Sequence, residues 1–157
     1  MRFLVPEPDL PTDSDVDFAI PSQRSELHPS VIAAISAGGA LGALARYGIG
    51  HAWPAPAGAF PWATFVVNVT GCLLIGALMV AVTEVFATHH LVRPFLGVGV
   101  LGGYTTFSTY SVEIRNLIAA HAPGTAVVYL AATLVAALAA VFVGMTTARV
   151  VTWLVTA

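Results

Sequence analysis

The sequence predicts an all-α integral membrane fold: four transmembrane helices, the third of them broken, paired as an antiparallel dual-topology dimer. Three observations lead there. The 157 residues are 57% hydrophobic and only 9% charged, against roughly 25% charged in a soluble domain, so lipid is the solvent for most of the chain. Beyond residue 29 the apolar residues fall into four segments, each near the roughly 20 helical residues that cross a bilayer core. The arginines, which supply every basic residue, divide almost evenly between the two sides those segments define.

Residues 1–29 differ from everything that follows. Glu7, Asp9, Asp13, Asp15, Asp17 and Glu26 alternate with Pro6, Pro8, Pro11, Pro21 and Pro29. Such an acidic, proline-rich tail is predicted to be disordered. Acids and prolines also stand where a secretory signal has a basic start and an apolar run. Residues 30–157 form the membrane domain. Its first helix is predicted over 30–49, its second over 62–86, its third over 92–120 and its fourth over 124–154. Pro54, Pro56 and Gly58 mark the first loop, His89, His90 and Arg93 the second, and His121, Pro123 and Gly124 the third. Helices are the expected solution because each satisfies its own backbone hydrogen bonds inside lipid.

Small residues recur at four-residue spacing: Gly38 and Gly42, Gly99 and Gly103, and the row Ala132, Ala136, Ala140, Gly144 and Ala148. Such rows let helix backbones approach closely in a membrane, and close packing is their expected role. Arg24, Arg93 and Arg149 fall on the side of the termini, with Arg2 far out on the tail, and Arg46 and Arg115 on the other. Lys/Arg bias normally fixes orientation. With so little bias the chain is expected to insert both ways and to pair antiparallel.

Several functions are excluded. A net charge of −2 without any basic run does not suit a nucleic-acid partner. The single cysteine, Cys72, has no internal disulfide partner and reads as a small hydrophobe. There is no phosphate loop, no metal-ligand spacing and no nucleophile–base order, so the chain is not read as an enzyme.

The chemistry concentrates in the third segment, where Gly102-Gly103-Tyr104-Thr105-Thr106-Phe107-Ser108-Thr109-Tyr110-Ser111 places adjacent glycines before a run of hydroxyls. The glycine pair predicts a break at membrane depth, tolerated where it lines a cavity. A break frees carbonyls on one half, which suit a small cation. It frees N–H groups on the other, which with nearby hydroxyls suit a small anion. Asn68 is the strong polar group of the second segment and must find a partner or water. Tyr129 and Thr133 share one face of the fourth. Arg46 and Glu113 are the intramembrane charges of interest, and Glu84 reads as interfacial.

At this point a resemblance carries the reading further. Gly38-Gly39-Ala40-Leu41-Gly42-Ala43 with Arg46-Tyr47, then Phe60-Pro61 with Val67-Asn68-Val69-Thr70-Gly71, then the Gly102–Ser111 run with Glu113, resemble in order and spacing the Fluc (CrcB) family of fluoride channels. The resemblance covers residues 34–150. It implies an antiparallel homodimer with two pores, and a structural, non-transported Na⁺ at the dimer centre. That ion would be held by the carbonyls of Gly102 and Thr105. It places the ion pathway at Asn68, Phe107 and Tyr110, with the hydroxyls of Thr106, Ser108 and Thr109. Tyr129 and Thr133 follow on the fourth helix, with Arg46 as a vestibule charge and Glu113 beyond the hydroxyl run. Position 110 departs from the family's usual Phe, position 137 is Ala where some members carry a hydroxyl, and the acidic tail is outside the common pattern.

The function implied is passive export of fluoride across the plasma membrane, with lipid, fluoride and a second copy or a paralogous subunit as partners. Fluoride is small and strongly hydrated, so donors and positive ring edges must replace its water. The Tyr110 hydroxyl is expected to donate to the anion. The alternative is that it obstructs one pore and leaves a paralogous partner to supply the usual Phe. Two other readings compete. A proton-coupled multidrug exporter relies on an acid in its first helix, and residues 30–50 hold none. A non-transporting assembly subunit does not account for polar residues gathered at one helix break.

Overall fold

The computed structural model describes residues 28–85 and 90–156. The acidic tail over 1–27 and His89 lie outside the described residues. Every regular element described is helical. Helix α1 is Pro29–Ala52 and α2 is Trp62–Val80. Helix α3 joins Arg93–Leu101 to the single turn Gly102–Tyr104, α4 is Phe107–Ala119 and α5 is Pro123–Thr156. Three helical stretches are long and apolar enough to cross a membrane: Pro29–Ala52, Trp62–Thr83 and Pro123–Leu154. The third predicted helix is two pieces, α3 and α4. Neither reaches the roughly 20 residues a crossing needs.

Local chemistry explains the ends. Pro29 belongs to the first turn of α1, not to the tail, because proline lacks only an N–H that the first turn leaves unpaired. The His28 ring accepts the Ser30 N–H at 3.4 Å. At the other end Trp53 N–H still reaches the Ile49 carbonyl at 3.0 Å, and Pro54 and Pro56 forbid a further turn. Helix α4 closes on His121, whose φ of 57° is left-handed. There His121 N–H bonds the Ile118 carbonyl at 3.1 Å and Ala122 N–H bonds the Leu117 carbonyl at 2.9 Å. This reciprocal pair satisfies two orphan carbonyls and reverses the chain into α5.

Two stretches are wound more widely than an α-helix, with i to i+5 hydrogen bonds: Ala81–Val85, which prolongs α2, and the Arg93–Leu101 part of α3. Wide turns of this kind are rare and gather near functional sites. Here the wide winding leads directly into the break.

The small-residue rows meet one another. A Cβ on Gly99 would fall 2.9 Å from the Ile35 carbonyl oxygen and 3.0 Å from the Gly38 Cα. One on Gly42 would meet the Val100 backbone, and one on Gly103 the Gly39 backbone. Helices α1 and α3 therefore touch backbone to backbone. The second contact joins α2 to α5, where Gly76 faces the Val141 carbonyl and Gly144 faces the Leu73 carbonyl. Ala140 and Gly144, from the predicted row on α5, are buried on that side. The opposite face carries Leu138 and Phe142, both exposed, as a lipid-facing surface requires.

These contacts correct one expectation. Gly102 and Gly103 do not break the helix; Gly102 has helical φ and ψ of −64° and −38°. The backbone leaves the helix at Thr105 (φ −75°, ψ 159°) and Thr106 (φ −151°, ψ 125°). Gly103 is required by the approach of α1, so packing explains it without any unusual backbone angle.

Alanine at Gly103 should therefore destabilise the fold by about 1–3 kcal/mol, the usual cost of overpacking. Alanine at Gly48, where nothing lies within 4 Å of the added atom, should be neutral or stabilising by helix propensity. Thermal unfolding of the two variants in detergent, followed by gel filtration, reads the difference.

Candidate functional site

The break between α3 and α4 is held by side chains from two other helices and by its own Thr106. Asn68 on α2 grips the Thr106 backbone at both its N–H and its C=O. Its Oδ1 accepts the Thr106 N–H at 2.8 Å and its Nδ2 donates to the Thr106 carbonyl at 3.0 Å. Arg46 on α1 donates from Nε to the Gly103 carbonyl at 3.1 Å. Thr106 itself caps α4, its Oγ1 accepting the Thr109 N–H at 3.1 Å and donating to Thr109 Oγ1 at 3.0 Å. The Ser108 hydroxyl lies 3.2 Å from the same Thr106 oxygen.

These bonds divert donors from the helix ladder. The Thr106 N–H stands four residues beyond Gly102, and the Thr109 N–H four beyond Thr105. Each is the donor a continuous α-helix would give to those carbonyls. Asn68 takes the first and Thr106 Oγ1 the second. The two carbonyls thus lose their helical donors to side chains, while the Gly103 carbonyl between them is claimed by Arg46. Thr105 turns its own hydroxyl back to the Leu101 carbonyl at 2.9 Å.

A second cluster ties α4 to its neighbours. Glu113 accepts from the Thr64 hydroxyl at 2.8 Å on one oxygen and from the Tyr129 hydroxyl at 2.7 Å on the other. Tyr129 is fully buried and packs with Leu117 and Ala126, which Phe60, Phe65 and Tyr110 surround. Edge contacts run from Phe60 to Tyr129 and from Tyr129 to Tyr110, each with centroids 5.1 Å apart. Phe107 continues the series 5.9 Å from Tyr110, and it is 80% exposed.

Tyr110 corrects the second expectation. Its hydroxyl donates to the Leu130 carbonyl of α5 at 2.8 Å. The O–H is committed to the helix backbone, so it supplies no free donor to an ion.

Two cavities flank the Asn68–Thr106 clasp. An outer one of about 500 Å³ is lined by Arg46, His51, Thr64, Thr109 and Glu113. An inner one of about 430 Å³ is lined by Asn68, Cys72, Phe107, Tyr110, Thr133 and Ala137. Thr106 lines both. Every charged lining residue is on the outer side. In the inner cavity the Thr133 hydroxyl is buried without any hydrogen-bond partner among the described residues, an arrangement that costs about 1–3 kcal/mol unless an acceptor arrives.

The structure thus brings Asn68, Thr106, Phe107, Tyr110 and Thr133 to one cavity, and Arg46, Thr109 and Glu113 to the other. Ser108 stays exposed beside Thr106, and Tyr129 stands behind the wall, bonded to Glu113. Three partners escaped the sequence reading: Thr64 as a donor to Glu113, Cys72 as inner lining, and the Leu130 carbonyl. The first two carried a signal, since Thr64, Asn68 and Cys72 recur every four residues on one face of α2. Among the described residues no group of three or more His, Cys, Asp or Glu gathers to hold a metal.

Comparison with known proteins supplies the family. The description "CrcB-like protein, Camphor Resistance (CrcB)" matches residues 33–145. The chain belongs to the CrcB family. It is 58% identical over 129 residues, 82% of this chain and 92% of the other, to "Fluoride-specific ion channel FluC 2" of Nocardia farcinica. It is 55% identical over 119 residues, 76% and 77% of the two chains, to "Fluoride-specific ion channel FluC 1" of Streptomyces coelicolor. At 42% identity over 123 residues, 76% and 95% of the two chains, it matches "Fluoride-specific ion channel FluC" of Rhodospirillum centenum. These relatives are named as channels, not enzymes, and the chain is a multi-pass membrane protein.

Asn68→Ala removes both bonds to Thr106 and leaves the half-buried Thr106 N–H without this partner, so stability should fall by about 1–3 kcal/mol. Tyr110→Phe removes one bond to a carbonyl that keeps its helical donor, and should cost no more than about 1 kcal/mol. Chemical or thermal unfolding of the reconstituted variants, side by side, checks the order.

Proposed function

We propose that the chain is one subunit of a fluoride-selective channel that lets cytoplasmic fluoride leave passively across the plasma membrane. The observation that carries the reading is the inner cavity. It holds no charged side chain, and it is lined by Asn68, by Thr133, whose buried hydroxyl has no partner among the described residues, and by the exposed Phe107. Only the first Asn68 N–H is used on Thr106. Donors and a positive ring edge without a fixed cation bind a hydrated anion weakly enough to release it. Arg46, in the outer cavity, raises the local anion concentration without standing in the inner one. Both Glu113 oxygens are occupied by donors, which tempers its repulsion toward an entering anion. The printed names of the relatives support the choice of fluoride.

The subunit is completed by an antiparallel partner, a second copy or a paralogue, in a bundle of four membrane passes with α3 and α4 making the third. Support comes from Phe107, whose ring is 80% exposed although it belongs to the cavity wall; one protomer supplies only part of that wall. The near balance of arginines favours both insertions. A structural Na⁺ would be held by the Gly102 and Thr105 carbonyls, whose helical donors are diverted. Oxygen-only ligation suits a hard cation. Its charge would lower the potential around the break while it stays off the anion path.

Liposomes holding only this chain should release fluoride and retain chloride, read by ion-selective electrodes; equal rates for the two anions would overturn the proposal. In the same assay Phe107→Ile, which removes the ring edge, should lose nearly all efflux, while Tyr110→Phe should keep it, since that hydroxyl donates to Leu130 instead of the ion.

A further inference from the structure

Tyr104 and Thr70 have no part in the pathway as proposed, yet they join the break to α2. The Thr70 hydroxyl carries one proton, and it donates to the Val66 carbonyl one turn back at 2.7 Å. The Tyr104 hydroxyl, 3.0 Å from the same Thr70 oxygen, is therefore the donor of the bond between them. At 3.6 residues per turn, Asn68 and Thr70 stand about 200° apart around α2, with Gly71 between them. Helix α2 thus grips the break at two points: Thr70 takes the side chain of Tyr104, and Asn68 takes the backbone of Thr106. Thr105 spans the interval, pressed on Gly71, where an added Cβ would run into the Thr105 methyl and lie 3.4 Å from the Tyr104 ring. On the other flank the Tyr104 backbone lies against α1, where a Cβ on Gly42 would fall 2.7 Å from the Tyr104 nitrogen.

We propose that the Tyr104–Thr70 bond is a positioning device for the structural cation: it fixes the turn that carries the Gly102 and Thr105 carbonyls and so sets how tightly Na⁺ is held. The inference rests on the sodium reading given above. A trans peptide points its N–H and C=O opposite ways, and the Thr106 N–H is turned to Asn68, so the Thr105 carbonyl points away from Asn68. The clasp therefore fixes that carbonyl from its Thr106 side alone. The Tyr104 tether fixes it from the other side, and it also holds the turn that begins at Gly102. Inside lipid no water competes for the phenol O–H, so the tether persists. Ligand oxygens held in place before the ion arrives need no ordering when it binds, and partners that orient ligands in this way raise affinity for a metal without touching it.

The test is thermal unfolding of the full chain in detergent as Na⁺ replaces choline at constant ionic strength. It reads the Na⁺ concentration needed for a given rise in melting temperature, which scales with the dissociation constant. Tyr104→Phe keeps the ring on Gly71 and loses the tether, and it should raise that concentration about five-fold, the weight of one hydrogen bond. Thr70→Val should raise it by the same factor, and Thr70→Ser should keep the wild-type value. The double variant Tyr104→Phe/Thr70→Val should stay near five-fold, because both changes break one bond. Should Tyr104→Phe fail to fold, Thr70→Val against Thr70→Ser decides. The proposal is overturned if the variants melt earlier but keep the wild-type Na⁺ requirement, as a purely structural bond would give, or if the double variant shifts about twenty-five-fold, as two independent effects would. A wild-type chain that Na⁺ does not stabilise refutes the sodium reading itself, and this proposal with it.

Discussion

The grip of Asn68 on Thr106 is the interaction on which the rest of the structure depends. Lipid offers no hydrogen bonds, so a chain that leaves the helix at membrane depth must find partners for every freed backbone group within the protein. Thr105 and Thr106 are the residues that leave it. A carboxamide is well suited to the repair, because it carries a donor and an acceptor in one plane and so meets the N–H and C=O of one residue together, as a neighbouring strand would. Remove that match and the α3–α4 junction has no reason to stay open. The Arg46 bond to Gly103 and the Thr106 cap on α4 complete the repair.

The same repair divides the electrostatics. With α1 pressed against α3 through glycines, Arg46 reaches the end of α3 and the outer cavity together. Glu113, one helical turn beyond Thr109, is neutralised in part by donors from α2 and α5. Charged residues thus line one cavity beside the clasp, and only uncharged ones line the other. In a channel of the kind proposed, an attractive charge at the mouth and a weak neutral site within would let an anion enter and also leave.

Much of this was legible in the sequence. Four apolar segments, their loops and the importance of the 102–111 run follow from composition and periodicity, and the helices begin and end within a few residues of the expected places. The position of the break was not legible. Adjacent glycines read as a weak point, but in a membrane glycine is also the residue that admits a neighbouring backbone, and only the placement of α1 decides between the two. Tyr110 failed for a similar reason. Its hydroxyl needs an acceptor, and a carbonyl twenty residues away on α5 leaves no mark in the sequence. Asn68 and Thr133 could be named as polar groups in need of partners. That one is doubly bonded and the other unbonded is a property of the fold.

The fate of the Tyr110 hydroxyl also bears on how the chain tolerates its departure from the family's usual Phe. A phenol facing an anion would add a strong donor and deepen the binding site. Turned to Leu130 it adds none, and the ring still presents its edge to Tyr129 and its tilt to Phe107. The extra oxygen is bonded to the Leu130 carbonyl of α5, while Tyr110 still lines the inner cavity. The substitution therefore acts on the seam between α4 and α5, where Leu117 and Tyr129 already form the small buried core. It fixes the helix that carries Phe107 more firmly without changing the charge or the donors an ion would meet.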